Sequence, residues 1–361
     1  MGGKVEWPPV GSCVAHRGAA GTAPENTVVG AATAIRQGAT IIEIDVQRTA
    51  DGELIVFHDS RLGRTTDIAD VLPDRARRMI GEMTVPELRK LDAGGWFDER
   101  YRGASVPTLA EMLDAVSGKA TLFIELKWPE RYPGIIGQLV EELRRCVGDA
   151  LSGPDTPVAI QLVETDLLRE LRDGLPEQVP LCLMTGLVPP LPVEEFPRLA
   201  DWISGYVPLG RELEPGYIDR VHEYGVRVCP WTIDAPEAVD AMLRLGADGV
   251  ITNYLPEVIP VMRGEASPLP RRPVRIEAAD PGSETFVLRN VGDAPVALSG
   301  WSVRNQLMVR QFLPDRTLAP GEPLALPSAS ANYLDNYGEN LALHDPADGV
   351  VDLHAYRLRT G

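Results

Sequence analysis

The chain has 361 residues, 44% of them hydrophobic and 24% charged, with a formal net charge of -17. A polypeptide of this size can bury one large core and a smaller second one, and its composition excludes a coiled coil or a disordered protein. So acidic a surface argues against nucleic acid and against plain docking on anionic membranes, since both reward positive patches.

Four cysteines, Cys13, Cys146, Cys182 and Cys229, form no CxxC pair, which argues against a structural zinc site and a disulfide framework. No run of about 18 apolar residues is present to form a transmembrane segment. Met1-Gly2-Gly3-Lys4 is not followed by an apolar stretch. The expected location is secreted or extracytoplasmic, with a signal peptide outside this sequence; a cytoplasmic location is the alternative.

From residue 12 to about 260, short apolar runs alternate with segments of helical period. The runs are Cys13–Ala15, Ile41–Val46, Leu54–Phe57, Leu122–Leu126, Val158–Leu162, Leu181–Met184, Trp202–Tyr206, Val226–Trp231 and Gly249–Thr252. Helices are predicted over 26–37, 84–91, 108–116, 134–146, 165–172, 214–224 and 236–245. Thr84…Glu87, Thr108…Glu111 and Asp234…Glu237 supply capping-box spacing at three of their starts. Strands apolar on both faces, alternating with helices, imply a parallel sheet covered by helices. About eight such units in roughly 250 residues favour an α/β TIM (β/α)8 barrel with a small insertion after the second strand. Leu54–Phe57 is expected to continue that second strand. An open doubly wound sheet loses ground, because no Gly-rich phosphate loop follows the first strand.

The barrel is expected over 11–262, and the Pro- and Arg-rich stretch 263–273 is expected to be a stiff, exposed linker. Beyond it the helical period stops. Short runs such as Thr285–Asn290, Pro323–Leu326 and Asn340–Leu343, separated by turn residues, predict a C-terminal all-β sandwich over 274–361.

Charges sit where buried strands should not carry them. The period of two puts Glu43 and Asp45 on one strand face, and Glu125 beside Lys127 on another. Three carboxylates at neighbouring strand ends need a proton or a cation, and an all-oxygen set favours Mg2+ or Ca2+ over zinc. His16 ends the first strand and His58 follows the second run, so both would point towards the barrel mouth, where histidine suits proton transfer. His222, His344 and His354 read as structural, surface or turn residues. Arg17 and Lys127 add two cations. A cation site, two cationic side chains and two proton carriers is a layout suited to a phosphodiester. Trp128, Tyr206, Trp231 and Tyr254 are candidate rim aromatics for a choline or ethanolamine head group or a lipid tail, with Trp231 the first choice.

His-Arg-Gly at 16–18, Pro-Glu-Asn-Thr at 24–27, Glu-Ile-Asp at 43–45, His-Asp at 58–59, Val-Pro-Thr-Leu at 106–109, Glu-Leu-Lys at 125–127, Trp-Thr at 231–232 and Gly-Ala-Asp-Gly-Val-Ile-Thr at 246–252 together resemble the glycerophosphodiester phosphodiesterase family. The resemblance implies a TIM barrel in which Glu43, Asp45 and Glu125 carry one divalent cation, His16 and His58 are the acid–base pair, and Arg17 and Lys127 contact phosphate. Thr252-Asn253 departs from the family's usual Thr-Asp at a position outside its catalytic set. Asn290–Trp301, Leu318–Gly321 and Leu341–Asp352 resemble the lamin-tail-like domain of many secreted bacterial enzymes, with a shortened N-terminal strand and Trp301 as a core anchor. That domain could supply cell-envelope contact.

The expected activity is divalent-metal-dependent hydrolysis of glycerophosphodiesters to an alcohol head group and glycerol phosphate. A lysophospholipase D acting on single-chain lysophospholipids is one alternative. A catalytically inactive anion-binding or envelope-scaffold protein is the alternative of another class.

Overall fold

The computed structural model describes residues 5–186, 189–270, 273–330, 333–334 and 340–356. The chain divides into two compact units, Met1–Trp231 with Met242–Leu255, and Thr232–Ala241 with Pro256–Gly361.

The first unit is built on strands β1 (Ser12–Ala15), β2 (Ile41–Arg48), β3 (Leu54–Val56), β4 (Thr121–Leu126), β5 (Val158–Leu162), β6 (Leu181–Met184), β7 (Gly205–Val207), β8 (Arg227–Val228) and β9 (Gly249–Thr252). Leaving out β3, these pair in parallel in the order β8-β7-β6-β5-β4-β2-β1-β9. The last seam is bridged by backbone bonds from Asp248 N–H to Val228 O (2.9 Å) and from Ile251 N–H to Pro230 O (3.0 Å), so the sheet closes into the expected barrel. Helices such as Val28–Arg36, Leu109–Val116, Ile135–Val147 and Thr165–Gly174 lie between successive strands.

Leu54–Phe57 does not continue the second strand. It folds back as β3, antiparallel to β2, with Val46 opposite Val56 and Arg48 opposite Leu54. The turn is closed by Thr49 N–H to Glu53 O (3.0 Å), with Gly52 at φ 89°, which is why the chain reverses there. The insertion that follows has its own apolar core, including Phe57, Leu62, Ile68, Ile80, Met83, Leu88 and Leu91. It ends at Thr108, whose hydroxyl accepts from Glu111 N–H (3.2 Å) while Glu111 accepts from Thr108 N–H (2.8 Å), the expected capping box.

Inside the barrel the lower layer is apolar, formed by Val14, Ile41, Phe123, Ala159, Cys182, Val207, Cys229 and Ile251. Trp7 packs on it, its ring centroid 4.2 Å from that of Phe123 and its N–H bonded to Ser204 O (3.3 Å). Cys182 and Cys229 are thus buried thiols, and Cys146 is exposed. Among the described residues no helix is long and apolar enough to cross a membrane.

The second unit contains strands β10 (Val274–Asp280), β11 (Thr285–Asn290), β12 (Val296–Ala297), β13 (Ser302–Arg304), β14 (Arg310–Phe312), β15 (Thr317–Leu318), β16 (Pro323–Pro327), β17 (Asn340–His344) and β18 (Val350–Ala355). They form antiparallel sheets β10-β11-β16, β12-β15 and β14-β13-β17-β18 around a core that includes Phe286, Leu288, Trp301, Val303, Leu341 and Val351. Its first strand is seven residues long, pairing with β11 from Val274↔Asn290 to Asp280↔Thr285. His344 is 1% exposed within β17, so it is an inward residue and not a surface one. Residues 263–268 are exposed, and Arg271 and Arg272 lie outside the described residues. Thr232 groups with this unit through bonds from Gln306 Nε2 to its hydroxyl (3.1 Å) and from Asn340 Nδ2 to its carbonyl (3.0 Å).

The apolar floor constrains β7. A Cβ added to Gly205 would collide with the Trp7 carbonyl and lie 3.0 Å from Cys182 Sγ. Gly205→Ala should therefore cost about 1–3 kcal/mol, seen as a lower urea midpoint at unchanged slope. An unchanged midpoint would contradict this packing.

Candidate active site

The inward faces of β1, β2 and β4 continue from the apolar floor to a polar upper layer. Ile41 is followed at the same parity by Glu43, Asp45 and Gln47, and Phe123 by Glu125 and Lys127. Asp45 pairs with Glu125 in register. One carboxylate oxygen from each of Glu43, Asp45 and Glu125 lies within 4.8 Å of the others, and all three residues are buried.

Glu43 and Asp45 titrate very differently. Burial, then Asp45 and Glu125, push Glu43 well above its usual range. Burial also pushes Asp45 upward, but His58, Arg17, Lys127 and a hydrogen bond from Asn26 Nδ2 (2.7 Å) outweigh it and hold Asp45 low. Lys127 Nζ lies 2.7 Å from Glu125 Oε1 and 3.8 Å from Asp45 Oδ1. Glu43 Oε2 accepts from Arg17 N–H (2.8 Å), whereas its buried Oε1 has no hydrogen-bond partner among the described residues. An orphaned carboxylate oxygen within an all-oxygen cluster is what a hard divalent cation would satisfy. The donor set therefore fits such an ion.

His16 follows β1, its N–H bonded to Thr252 O (2.9 Å), and its ring is buried. Burial and then Arg17 lower its pKa to about 3, so the ring is neutral. Its Nδ1 lies 2.7 Å from Asn253 Oδ1 and its Nε2 4.0 Å from Glu43 Oε2. With an amide oxygen facing it, Nδ1 carries the hydrogen and Nε2 keeps its lone pair.

His58 is held differently. Its Nδ1 donates to Asp59 Oδ1 (2.7 Å), and Gln47 Nε2 donates to the carbonyls of Phe57 (2.7 Å), His58 (3.2 Å) and Asp59 (2.8 Å), gathering the turn. Gln47 Oε1 in turn accepts from Tyr132 Oη (3.1 Å). Burial and then Arg17 lower the His58 pKa as well.

An ionic chain, buried at Arg17 and Glu25 and half-buried at Arg64 and Asp59, links the two sides. Asp59 accepts two hydrogen bonds from Arg64 (2.7 and 2.8 Å), Arg64 donates twice to Glu25 (2.7 Å each), and Glu25 accepts from Arg17 (3.1 Å). Backbone strain accompanies it: Arg17, Asn26 and Trp128 adopt positive φ of 51°, 55° and 47°. Asn26 tolerates this and uses it, accepting from Asp45 N–H (3.2 Å) while donating to the Asp45 carboxylate.

The aromatic expectations divide. Tyr206 is fully buried on the outer face of β7, edge-on to Phe196, with its hydroxyl accepting from Leu191 N–H (2.7 Å). Strand parity turns it away from the mouth, because Gly205 and Val207 take the inner positions. Tyr254 is 1% exposed, its ring lying where a Cβ on Gly21 would be, so it too forms no rim. Trp128 is half-buried with Arg131 and Lys127 over its ring at 5.0 and 5.7 Å, and its cation-binding face is engaged by the protein itself. Trp231 is half-buried against the barrel interior, its Nε1 donating to Thr185 O (3.2 Å). His222 bonds Asp248 (2.8 Å) before β8, at the other end of the barrel, as a structural residue.

Sequence reasoning brought His16, Arg17, Glu43, Asp45, His58, Glu125 and Lys127 together, and it missed Glu25, Asn26, Gln47, Arg64 and Asn253. Gln47 was accessible by extending the Glu43–Asp45 parity one step. The others lie on loops, where no periodicity betrays direction.

A sequence profile of the Glycerophosphoryl diester phosphodiesterase family matches residues 16–257. A glycerophosphodiester phosphodiesterase of Bacillus subtilis is 32% identical over 257 residues, covering 67% of this chain and 83% of that protein. One from Caldanaerobacter subterraneus is 31% identical, covering 69% and 97%. Among solved structures, an Oleispira antarctica phosphodiesterase in complex with the product sn-glycerol-3-phosphate is similar at a TM-score of 0.61 and 25% identity, covering 70% of this chain and 97% of that one.

Glu25 provides a test of the ionic chain. Burial raises its pKa, but Arg64 and Arg17 outweigh that and lower it from 4.5 to about 2. A depressed carboxylate contributes stability above its unfolded pKa and loses it as pH falls through the folded one. Glu25→Gln should cost about 3–5 kcal/mol at pH 7, with a gap to wild type that narrows on acidification from 4.5 towards 2. Urea titrations of both proteins at pH 7 and in that acid window read this directly; a gap independent of pH would refute it.

Proposed function

The chain belongs to the glycerophosphoryl diester phosphodiesterase family, and from that premise we propose that it hydrolyses glycerophosphodiesters to glycerol phosphate and a free alcohol, using His16 and His58 as proton carriers. The observation that carries this reading is two histidines, each with its Nδ1 engaged, flanking a buried carboxylate triad and two cationic side chains.

Glu43, Asp45 and Glu125 would hold the cation, Mg2+ or Ca2+, whose chemistry is Lewis-acid neutralisation of phosphoryl oxygens. Arg17 and Lys127 add positive charge beside the same oxygens and orient the diester. His16 Nε2 takes the proton of the attacking oxygen, either water or a neighbouring substrate hydroxyl. His58, in its protonated form, supplies the Nε2 proton to the departing alcohol; Asp59 on its Nδ1 stabilises that cationic ring against the burial and the Arg17 charge that disfavour it. If the substrate hydroxyl attacks first, a cyclic phosphate forms and water opens it in a second step.

Support for a lamin-tail-like identity of the C-terminal unit comes from its antiparallel sheets around Trp301. We read this unit as the part of an extracytoplasmic enzyme that meets the cell envelope.

Turnover of sn-glycero-3-phosphocholine and of lysophosphatidylcholine, with both products identified and with Mg2+, Ca2+ or a chelator present, tests the reading. The glycerophosphodiester should be consumed only with a divalent cation. His16→Ala and His58→Ala should each lose roughly 10²–10⁴ in rate with the fold intact. Near-normal turnover by either variant would overturn the acid–base assignment, and faster turnover of the lysolipid would reassign the substrate.

A further inference from the structure

β5 carries an inward polar residue with no part in the proton transfers. Ala159 belongs to the apolar floor of the barrel, and Gln161, two residues on, faces the same way one layer nearer the mouth. Val163, the next inward position, is 45% exposed, so Gln161 sits just beneath the opening. Register places Gln161 between Glu125 on β4 and Cys182 on β6. With strands about 4.8 Å apart, its amide lies beside a carboxylate of the triad.

Gln161 is 1% exposed, and its Oε1 accepts no hydrogen bond among the described residues. An amide oxygen buried without a donor costs about 1–3 kcal/mol, a cost a leucine there would avoid. Its strand neighbours cannot relieve it: Glu125 is an acceptor bound to Lys127, and Cys182 is at best a weak donor. The missing donor is therefore an O–H or N–H from outside the chain, a water in the free protein and a ligand group in the complex. Phosphoryl oxygens only accept and a choline head group has no donor, whereas a glycerol esterified at one position keeps two hydroxyls.

Resting on the hydrolase reading above, we propose that Gln161 is a specificity-determining residue whose Oε1 accepts a hydrogen bond from a free hydroxyl of the substrate's glycerol moiety. Its amide recognises the part of the diester that the triad and the two cations do not.

The test compares sn-glycero-3-phosphocholine with n-propyl phosphocholine, which lacks both hydroxyls, in wild type, Gln161→Leu and Gln161→Met. Circular dichroism confirms folding, and the two variants remove the acceptor with different shapes. Wild type should prefer the glycerol substrate. Either folded variant should lose about 10–100-fold in kcat/KM on that substrate, a hydrogen bond's worth, while changing little on the propyl analogue. Equal losses on both substrates, or no loss, would overturn the proposal while leaving the hydrolase reading intact. A substrate-independent loss accompanied by weaker Mg2+ binding in calorimetry would overturn it in favour of an amide that holds a cation-bound water. Wild type inactive on both diesters with Mg2+ or Ca2+ present would overturn the hydrolase reading and this inference with it.

Discussion

Three carboxylates converge within 4.8 Å of one another above an apolar floor, and most features of the first unit answer to that concentration of negative charge. Like charges at such distances in a poorly solvated interior cannot all persist without a cation or a proton. The effect falls unevenly: Glu43 is driven well above its usual range and Asp45 is held low. What separates them is the company each keeps. Asp45 has Arg17, Lys127, His58 and an Asn26 hydrogen bond, while among the described residues Glu43 has one backbone N–H and an orphaned oxygen. The protein leaves one part of the cluster under-neutralised, and a divalent cation is the group that completes it.

The surroundings keep that cluster stiff and keep the histidines in defined roles. Gln47 collects three successive carbonyls of the His58 turn, and the insertion that bears this turn has its own apolar core. The Asp59–Arg64–Glu25–Arg17 chain ties one histidine's carboxylate partner to the cation beside the other histidine. Ion pairs taken this far out of water contribute little net stability for the desolvation they require. Their value lies in fixing geometry, since removing one member strands its charged neighbour. Asn253 shows the same principle at His16, where a neutral amide sets the tautomer without adding charge.

Much of this was legible in the sequence because a barrel strand writes its orientation in a period of two. Glu43, Asp45, Glu125 and Lys127 were found by parity, and His16 and His58 by their position after apolar runs. The same rule, applied strictly, would have excluded Tyr206, whose neighbours Gly205 and Val207 occupy the inward positions. Tyr254 was misjudged because a side chain packed over a glycine, here Gly21, leaves no local pattern. The reversal at Leu54 was missed although Asp51-Gly52 precedes it, because an apolar run reads alike whether it extends a strand or pairs back on it. In the second unit, β10 was hidden because Val274 and Ile276 alternate only briefly before an Ala-rich stretch with a register shift between Ile276 and Ala278. Loop-borne partners such as Arg64 and Asn253 depend on tertiary approach, which no short-range pattern records.

The central claim is that the carboxylate cluster is a divalent cation site, and calorimetric titration of the chelator-stripped full-length protein with Mg2+ and Ca2+ tests it most directly, alongside Glu43→Gln, Asp45→Asn and Glu125→Gln. A cation-centred site requires saturable binding of one ion per chain in wild type, strongly weakened in each variant, with protons released on binding because Glu43 must ionise. Wild-type protein that binds neither ion, or that binds equally well once any of the three carboxylates is removed, would contradict it.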